Sequence, residues 1–520
     1  MVGLPISTTS RIAAGCLLFG PPLAAALSSR AVALSYSHAR HSNSFWRSSP
    51  LAVSFSVSSV APPIPRNHSL RFMTSPSTSD AVGPSSSLPT KWSDVLALAN
   101  NTNSNAHWKY ANNLFPPLTA SSHKGSHGRI AIFGGSEKYT GAPYYAAQSA
   151  LHCGIDLVTV FCAKEASVPI KCYSPELMVQ SVYSVDELDV LLAEEMGLLG
   201  ELEQCKQSND LMTNEMNGME LLQTMEKLEH SEEKQQLFIQ SELKNDDKME
   251  LLVERLEKIK QLEEKLQILR ERQEVSVGSI ADTITTMFPT LHTLCIGPGL
   301  GRHPLVFSAV EKVIRKAMES NLMLVLDADA LYMLSLKEYR SLLDELSNYE
   351  RCVMTPNLME MRRLDEAFSE GSDDAKVGMS VEKKYSNIVV HKGNVDTITN
   401  VCHTMQCKEE GGLKRSGGIG DVLAGTISAF MAWNAILEKD MSNDDDSSID
   451  SRVVDRQHCQ RVFASWAACC AVKKGTRIAF QKKRRAMSAL DVIGEIGEVL
   501  GSMEEGVDIG VKYPDATAKK

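Results

Sequence analysis

The run Gly411-Gly412-Leu413-Lys414-Arg415-Ser416-Gly417-Gly418-Ile419-Gly420-Asp421 leads directly into a helical pattern, Val422 to Trp433. Glycines let backbone N–H groups converge on an anion at a helix N-terminus, where the helix dipole favours negative charge. An ATP γ-phosphoryl group is the natural guest of such a turn. Asp421 stands in the first helical turn, close enough to take a proton from an acceptor hydroxyl while the N–H groups stabilise charge on the transferring phosphoryl. Taken alone, the same residues also describe an ordinary glycine-rich loop capped by an aspartate.

Four further segments bear on that choice, because each falls where a strand should end, and open α/β sheets bind ligands at the carboxyl ends of their strands. Gly297-Pro298-Gly299-Leu300-Gly301-Arg302 follows a strand pattern, and its glycines allow a ligand close to the backbone. Asp327-Ala328-Asp329-Ala330 ends another strand with two carboxylates, of which Asp329 is also a helix-cap candidate. In Thr355-Pro356-Asn357-Leu358-Met359-Glu360, Asn357 and Glu360 share the first helical turn and suit water held around Mg²⁺; the alternative is a capping pair. His391-Lys392-Gly393-Asn394-Val395-Asp396 links two short strands, and a hairpin there leaves Lys392 free to meet phosphate.

The elements that must hold these ends begin near Ser126, where short β-branched runs alternate with longer helical patterns. The runs are Arg129–Phe133, Asp156–Cys162, Thr293–Ile296, Leu322–Leu326, Arg351–Met354 and Asn387–Val390, with a helix from Pro143 to Cys153 after the first. This alternation predicts an α/β fold with a mainly parallel sheet and helices on both faces. Tyr139 to Pro143 reads as a tight strand-to-helix turn or as a wall of the cleft. Strand signals stop between 186 and 273, where Leu252, Leu256, Ile259, Leu262, Leu266 and Leu269 step by three or four residues. That stripe predicts an inserted, charged, coiled-coil-like helical arm, the alternative being a solvated charged helix. The chain therefore divides into a leader at 1–73, a Ser/Pro-rich linker at 74–90, a catalytic domain at 91–185 and 274–510, the arm at 186–273 and a tail at 511–520. Asn443 to Asp450 reads as an acidic surface loop.

The first acidic residue is Asp80, and the Ser-, Ala- and Arg-rich stretch before it has a transit-peptide composition pointing to mitochondrion or plastid. Ile12 to Leu27 also imitates a secretory signal, and a cytosolic form fits a chain without the leader. Beyond it, no run of about 18 apolar residues marks a membrane span. A net charge of −10 provides no basic face for nucleic acid. Twelve cysteines without paired CxxC spacing argue against a zinc ribbon or a CxxC redox centre.

As an ordered set these residues resemble the ATP-dependent NAD(P)H-hydrate dehydratases, nucleotide-repair enzymes of the ribokinase-like superfamily. The resemblance runs over 124–184 and 281–501 and includes Lys124-Gly125, Phe133-Gly134-Gly135, Tyr139 to Pro143, Ser174 to Leu177, GPGLGR at 297, TPN at 355 and GGxGD at 417. It implies a ribokinase-like three-layer α/β/α fold and ATP-consuming dehydration of the S epimer of hydrated NADH or NADPH. By resemblance, Gly299, Asn357, Leu358, Met359, Glu360, Met361, Arg362 and Arg363 contact the hydrated dinucleotide, with Asp421 on its reacting hydroxyl. Lys392 to Asp396 and Gly411 to Gly420 would hold ATP, and Mg²⁺ would have no direct protein ligand. The sequence departs from the family in its arm, in Ser416 and Ile419 where relatives often carry Cys and Gln, and in Met361 where an aromatic residue is usual. A ribokinase-like kinase acting on a vitamin-precursor alcohol is the alternative, since it would share the GGxGD turn. A non-catalytic nucleotide-binding scaffold recruiting a partner through the arm is a third reading. Homo-oligomerisation is compatible with all three.

Overall fold

Val, Ile, Leu and Phe crowd the short runs, and strands apolar on both faces are stable only between two layers of helices. The computed structural model describes Leu96 and residues 110–215, 247–369, 386–442 and 451–506. The leader, the linker, the acidic stretch at 443–450, the tail and the arm's centre at 216–246 lie outside the described residues.

The strands are β1 (Arg129–Phe133), β2 (Leu157–Ala163), β3 (Met178–Tyr183), β4 (Thr293–Ile296), β5 (Met323–Leu326), β6 (Cys352–Met354), β7 (Ile388–His391), β8 (Asp396–Thr399) and β9 (Thr404–Cys407). They form one sheet in the order β3-β2-β1-β4-β5-β6-β7-β8-β9. Pairing is parallel from β3 to β7 and antiparallel from β7 through β9. The sequence carried no signal for the edge strands β3 and β9. Their half-exposed faces hold Gln180, Ser181, Thr404 and Gln406 in place of an apolar run.

The helices are α1 (Gly141–Cys153), α2 (Lys164–Tyr173), α3 (Val185–Glu215), α4 (Asp247–Thr285), α5 (Pro304–Glu319), α6 (Asp329–Leu334), α7 (Arg340–Ser347), α8 (Leu358–Ser369), α9 (Ile419–Ser442), α10 (Ser451–Lys483) and α11 (Ala489–Glu504). From β1 the chain winds outward to β3, and from β4 it winds the opposite way to β7. Right-handed crossovers then place the two sets of helices on opposite faces of the sheet. Accordingly α1, α9, α10 and α11 pack together, as do α4, α5 and α6. This α/β/α arrangement puts the reversal of winding between the neighbours β1 and β4, where a crevice opens at the strand ends.

Helix α9 is the central helix of its layer. By length and composition its segment Ile419–Lys439 is apolar enough to span a bilayer, contrary to the sequence expectation, yet 72% of that window is buried inside the protein. Its apolarity serves the core. Gly425 makes the approach to α1 feasible, since a Cβ there would lie 2.0 Å from the Ala146 carbonyl oxygen.

Within the arm, α3 and α4 form an antiparallel pair. Lys206 meets Glu263 at 2.7 Å and Arg272 meets Glu194 at 3.2 Å, so partner numbers run in opposite directions. Leu202 packs with Leu262 and Leu266 between the helices. Nearer the sheet, Leu188, Leu191, Leu269, Val277, Ile280 and Ile284 join the main core.

Candidate active site

The loops after β1, β4 and β5, the first two glycine-bearing, lock the crevice between these strands. Gly135 N–H donates to the carbonyls of Pro298 and Gly299, both at 3.1 Å. Gly297 has φ +122°, and a Cβ there would lie 1.8 Å from the Asp327 carbonyl oxygen. Gly299, at φ +61°, would place a Cβ 2.9 Å from Tyr139, and its carbonyl accepts from Ser136 Oγ at 3.0 Å. Beyond the ligand approach expected at 297–301, these glycines admit neighbouring backbone and side chains. The loops brace one another.

Between Asp327 and Asp329, Ala328 is held at φ 48°, ψ −113°, a strained conformation for a residue with a Cβ. The turn sends the two carboxylates apart. Asp327 is buried and its Oδ1 accepts from Thr355 Oγ1 (2.8 Å) and Lys392 Nζ (2.6 Å). Asp329 accepts from Gly301 N–H (3.0 Å) and Arg302 Nε (3.3 Å). Lys392 was expected to be free for phosphate; it is tied to Asp327 and lies 3.9 Å from Glu360 Oε2. Burial pushes the Lys392 ammonium towards neutrality, but the carboxylates of Asp327, Glu360 and Asp421 outweigh it and raise its pKa above the ordinary value.

Asp421 completes this cluster from the first turn of α9. Burial is the main cause that pushes its carboxyl up to about 7, Asp327 adds repulsion, and Lys392 and a backbone N–H oppose both. A carboxylate tuned to that range is suited to proton abstraction near neutral pH. A Cβ at Gly420 would lie 3.7 Å from Lys392 Nζ, so the glycine turn and the Lys392 hairpin face each other.

Asn357 and Glu360 form the capping pair rather than a free water-holding pair. Asn357 Oδ1 accepts from Met359 and Glu360 N–H at 2.9 and 3.0 Å, and Glu360 Oε2 accepts from Asn357 N–H at 2.8 Å. Burial raises the Glu360 pKa despite the attraction of Lys392. Among the described residues no group of three or more His, Cys, Asp or Glu side chains is placed to hold a metal ion. Leu358, Met359 and Arg362 are exposed on α8 and Arg363 is half-buried. Met361 departs from its expected place on the substrate surface: it is buried in the core and supplies packing.

A cavity of about 510 Å³ opens on the other side of Lys392. It is lined by Lys392, Gly393, Asn394, Asp396, Gly411 to Ser416, Ile419 and Gly420, which the sequence reading grouped together. Val395, Gly417 and Gly418 lie outside the lining; Gly418, at φ +90°, abuts Tyr145 instead. Asp396 closes the hairpin by accepting from Gly393 N–H at 2.8 Å. Ser416 Oγ and Lys414 Nζ donate to the Met487 carbonyl, at 2.8 and 2.5 Å, which fixes the glycine loop.

The sequence reading missed the wall supplied by Leu423 and by α10. Cys469, Val472, Lys473 and Thr476 line the cavity. Lys473 Nζ donates to the Asn394 carbonyl (2.6 Å) and pairs with Asp396 (3.2 Å), while Thr476 Oγ1 accepts from Gly412 N–H (3.0 Å). The available signal was the polar run Lys473-Lys474-Gly475-Thr476 interrupting an alanine- and cysteine-rich helix. Thr355, whose hydroxyl orients Asp327, also went unassigned.

A family model described as NAD(P)H-hydrate dehydratase matches residues 130–214 and 252–491, leaving out the centre of the arm. The chain is 27% identical over 397 residues to the ATP-dependent (S)-NAD(P)H-hydrate dehydratase of Schizosaccharomyces pombe, covering 75% of this chain and 91% of that one. It is 28% identical over 396 residues to the rat (Rattus norvegicus) protein of the same name, with 75% and 83% covered. Among solved structures, the ADP/ATP-dependent NAD(P)H-hydrate dehydratase of Bacillus subtilis superposes with a TM-score of 0.40 at 15% identity, over 76% of this chain and 96% of that one.

Proposed function

This chain belongs to the NAD(P)H-hydrate dehydratase family, and from that premise we propose that its crevice dehydrates the S epimer of hydrated NADH or NADPH at the expense of ATP, with Asp421 as the base. The observation that carries the site assignment is the placement of Asp421. It directly follows Gly420, which lines the cavity, and it is within reach of Asp327 and Lys392 at the strand ends, with its carboxyl pushed up to about 7.

Hydroxide is a poor leaving group, so the ring hydroxyl is first converted into a phosphate ester. Asp421 takes the hydroxyl proton as the oxygen bonds to the γ-phosphorus, and the bond from phosphorus to the bridging oxygen breaks to release ADP. The N–H groups at the start of α9 stabilise the charge on the phosphoryl oxygens. The ring nitrogen lone pair then expels phosphate, and loss of a proton from the adjacent ring carbon restores the double bond. Lys392 to Asp396 and Gly411 to Gly420 hold ATP, with Lys473 and Thr476 fixing the two loops. Gly299 and the exposed side of Asn357 to Arg363 border the dinucleotide.

Mg²⁺ would arrive on the ATP phosphates, whose charge it neutralises. Among the described residues no set of carboxylates is placed to hold the ion directly, so its ligands would be phosphate oxygens and water.

Incubating the purified protein with ATP, Mg²⁺ and hydrated NADH should restore the near-ultraviolet absorbance of the reduced nicotinamide. Absorbance that stays flat while ATP is consumed, with a stable phosphorylated product in the chromatogram, would instead identify a small-molecule kinase.

A further inference from the structure

Along the rim from Asp421, two arginines surround one aromatic ring. Arg302 ends the loop after β4 and stacks on Tyr332 of α6, its guanidinium carbon 3.8 Å from the ring centroid. Its Nε meets Asp329 Oδ1 at 3.3 Å, and the other oxygen of Asp329 is taken by Gly301 N–H. Arg363 of α8 approaches the same ring at 5.8 Å. The cluster lies within electrostatic reach of the reacting carboxylate, since Asp329 is among the charges that act on Asp421.

An exposed arginine loses side-chain entropy when it is fixed, so a surface arginine held in one place is preorganised. The Arg302 side chain is 55% exposed, yet an ion pair and a stacked ring both hold it. With Nε turned to Asp329, the far edge of the guanidinium fork points away from the carboxylate. Such a fork matches the spacing of phosphate oxygens, which a lysine cannot reproduce. Tyr332 sets the plane of the fork, and Arg363 brings a second positive charge to the same ring.

Building on the dehydratase reading, we propose that Arg302 and Arg363, bracketing Tyr332, hold a phosphate of the substrate dinucleotide and thereby place its ring hydroxyl at Asp421. Two phosphates of the substrate class share this chemistry: the pyrophosphate common to both hydrates and the 2′-phosphate that only the NADPH hydrate carries.

The test measures steady-state kinetics of the full chain with each hydrate, for wild type, Arg302→Ala, Arg302→Lys and Arg302→Ala/Arg363→Ala. One charge-assisted contact corresponds to about a 10- to 100-fold rise in KM for the hydrate in Arg302→Ala, with kcat and the KM for ATP nearly unchanged. The double variant should lose more, and Arg302→Lys should recover only part, since charge returns without the fork. A loss confined to the NADPH hydrate assigns the clamp to the 2′-phosphate, and equal losses assign it to the pyrophosphate. An unchanged KM for both hydrates overturns the proposal. So does a fall in kcat and melting temperature without a KM change, which would mark Arg302 as a brace for Asp329 alone. Wild-type protein that turns over neither hydrate would instead count against the dehydratase reading.

Discussion

Asp421 sits among charges that set its proton affinity, so its behaviour with pH is predictable. As a base it must be ionised. With its carboxyl near 7, kcat should fall as pH drops through about 7 and level off above it. Asp421→Asn should lose turnover by several orders of magnitude while ATP affinity stays within a few-fold, because the backbone cradle survives; isothermal titration alongside the rate assay checks both. The same residue burdens folding. Its folded pKa is raised above the unfolded value of about 3.9, so the stability it contributes is present at acid pH and is lost as pH rises through about 7. Asp421→Asn should therefore melt above wild type at pH 8, and the gap should close below about pH 4. Lys392→Met makes an opposite change. It should shift the acid limb of the rate profile upwards, since Lys392 favours the Asp421 carboxylate, and cost about 3 kcal/mol by leaving buried Asp327 without its cation.

At the scale of elements, the site depends on how closely α9 approaches the sheet and its neighbours. Gly425→Ala would set a methyl group against the Ala146 carbonyl, where the backbone of α1 cannot yield cheaply. It should destabilise by about 1–3 kcal/mol and lower kcat by moving the start of α9, measured by thermal melting and single-turnover rates. The glycine turn was legible because few structures need Gly411-Gly412 and Gly417-Gly418-Ile419-Gly420 ahead of a helix. The wall from α10 was not, because Cys469, Val472, Lys473 and Thr476 recur at the spacing of any packed helical face. The capping pair Asn357 and Glu360 shows the converse, since two polar residues three apart suit a water site and a helix start equally well.

For the whole molecule, the arm separates into parts with different roles. Excising 207–262 behind a short linker joins α3 and α4 where Lys206 and Glu263 already meet, and leaves Leu188, Leu191, Leu269, Val277 and Ile280 in place. That variant should fold with a nearly unchanged melting temperature and retain turnover. Excising 186–273 removes Leu188, Leu191 and Leu269 from the core at about 2–5 kcal/mol each, and should not fold stably. Normal turnover in the second variant would show that the arm's base is dispensable. Loss of turnover in the first would tie the arm to catalysis or assembly.

Local sequence was enough for the alternation of strands and helices, the strand-end placement of four motifs, the glycine turn ahead of α9 and the candidate base. These rest on local rules: periodicity, glycine turns and a carboxylate at a helix start. The fold alone binds Lys392 to Asp327, turns Met361 to the core and closes the cavity with α10. It also decided that Arg302, Tyr332 and Arg363 share one corner of the rim. Each of these depends on which strand ends become neighbours when the sheet reverses its winding between β1 and β4, and that adjacency joins residues too far apart in the chain for any local pattern to record.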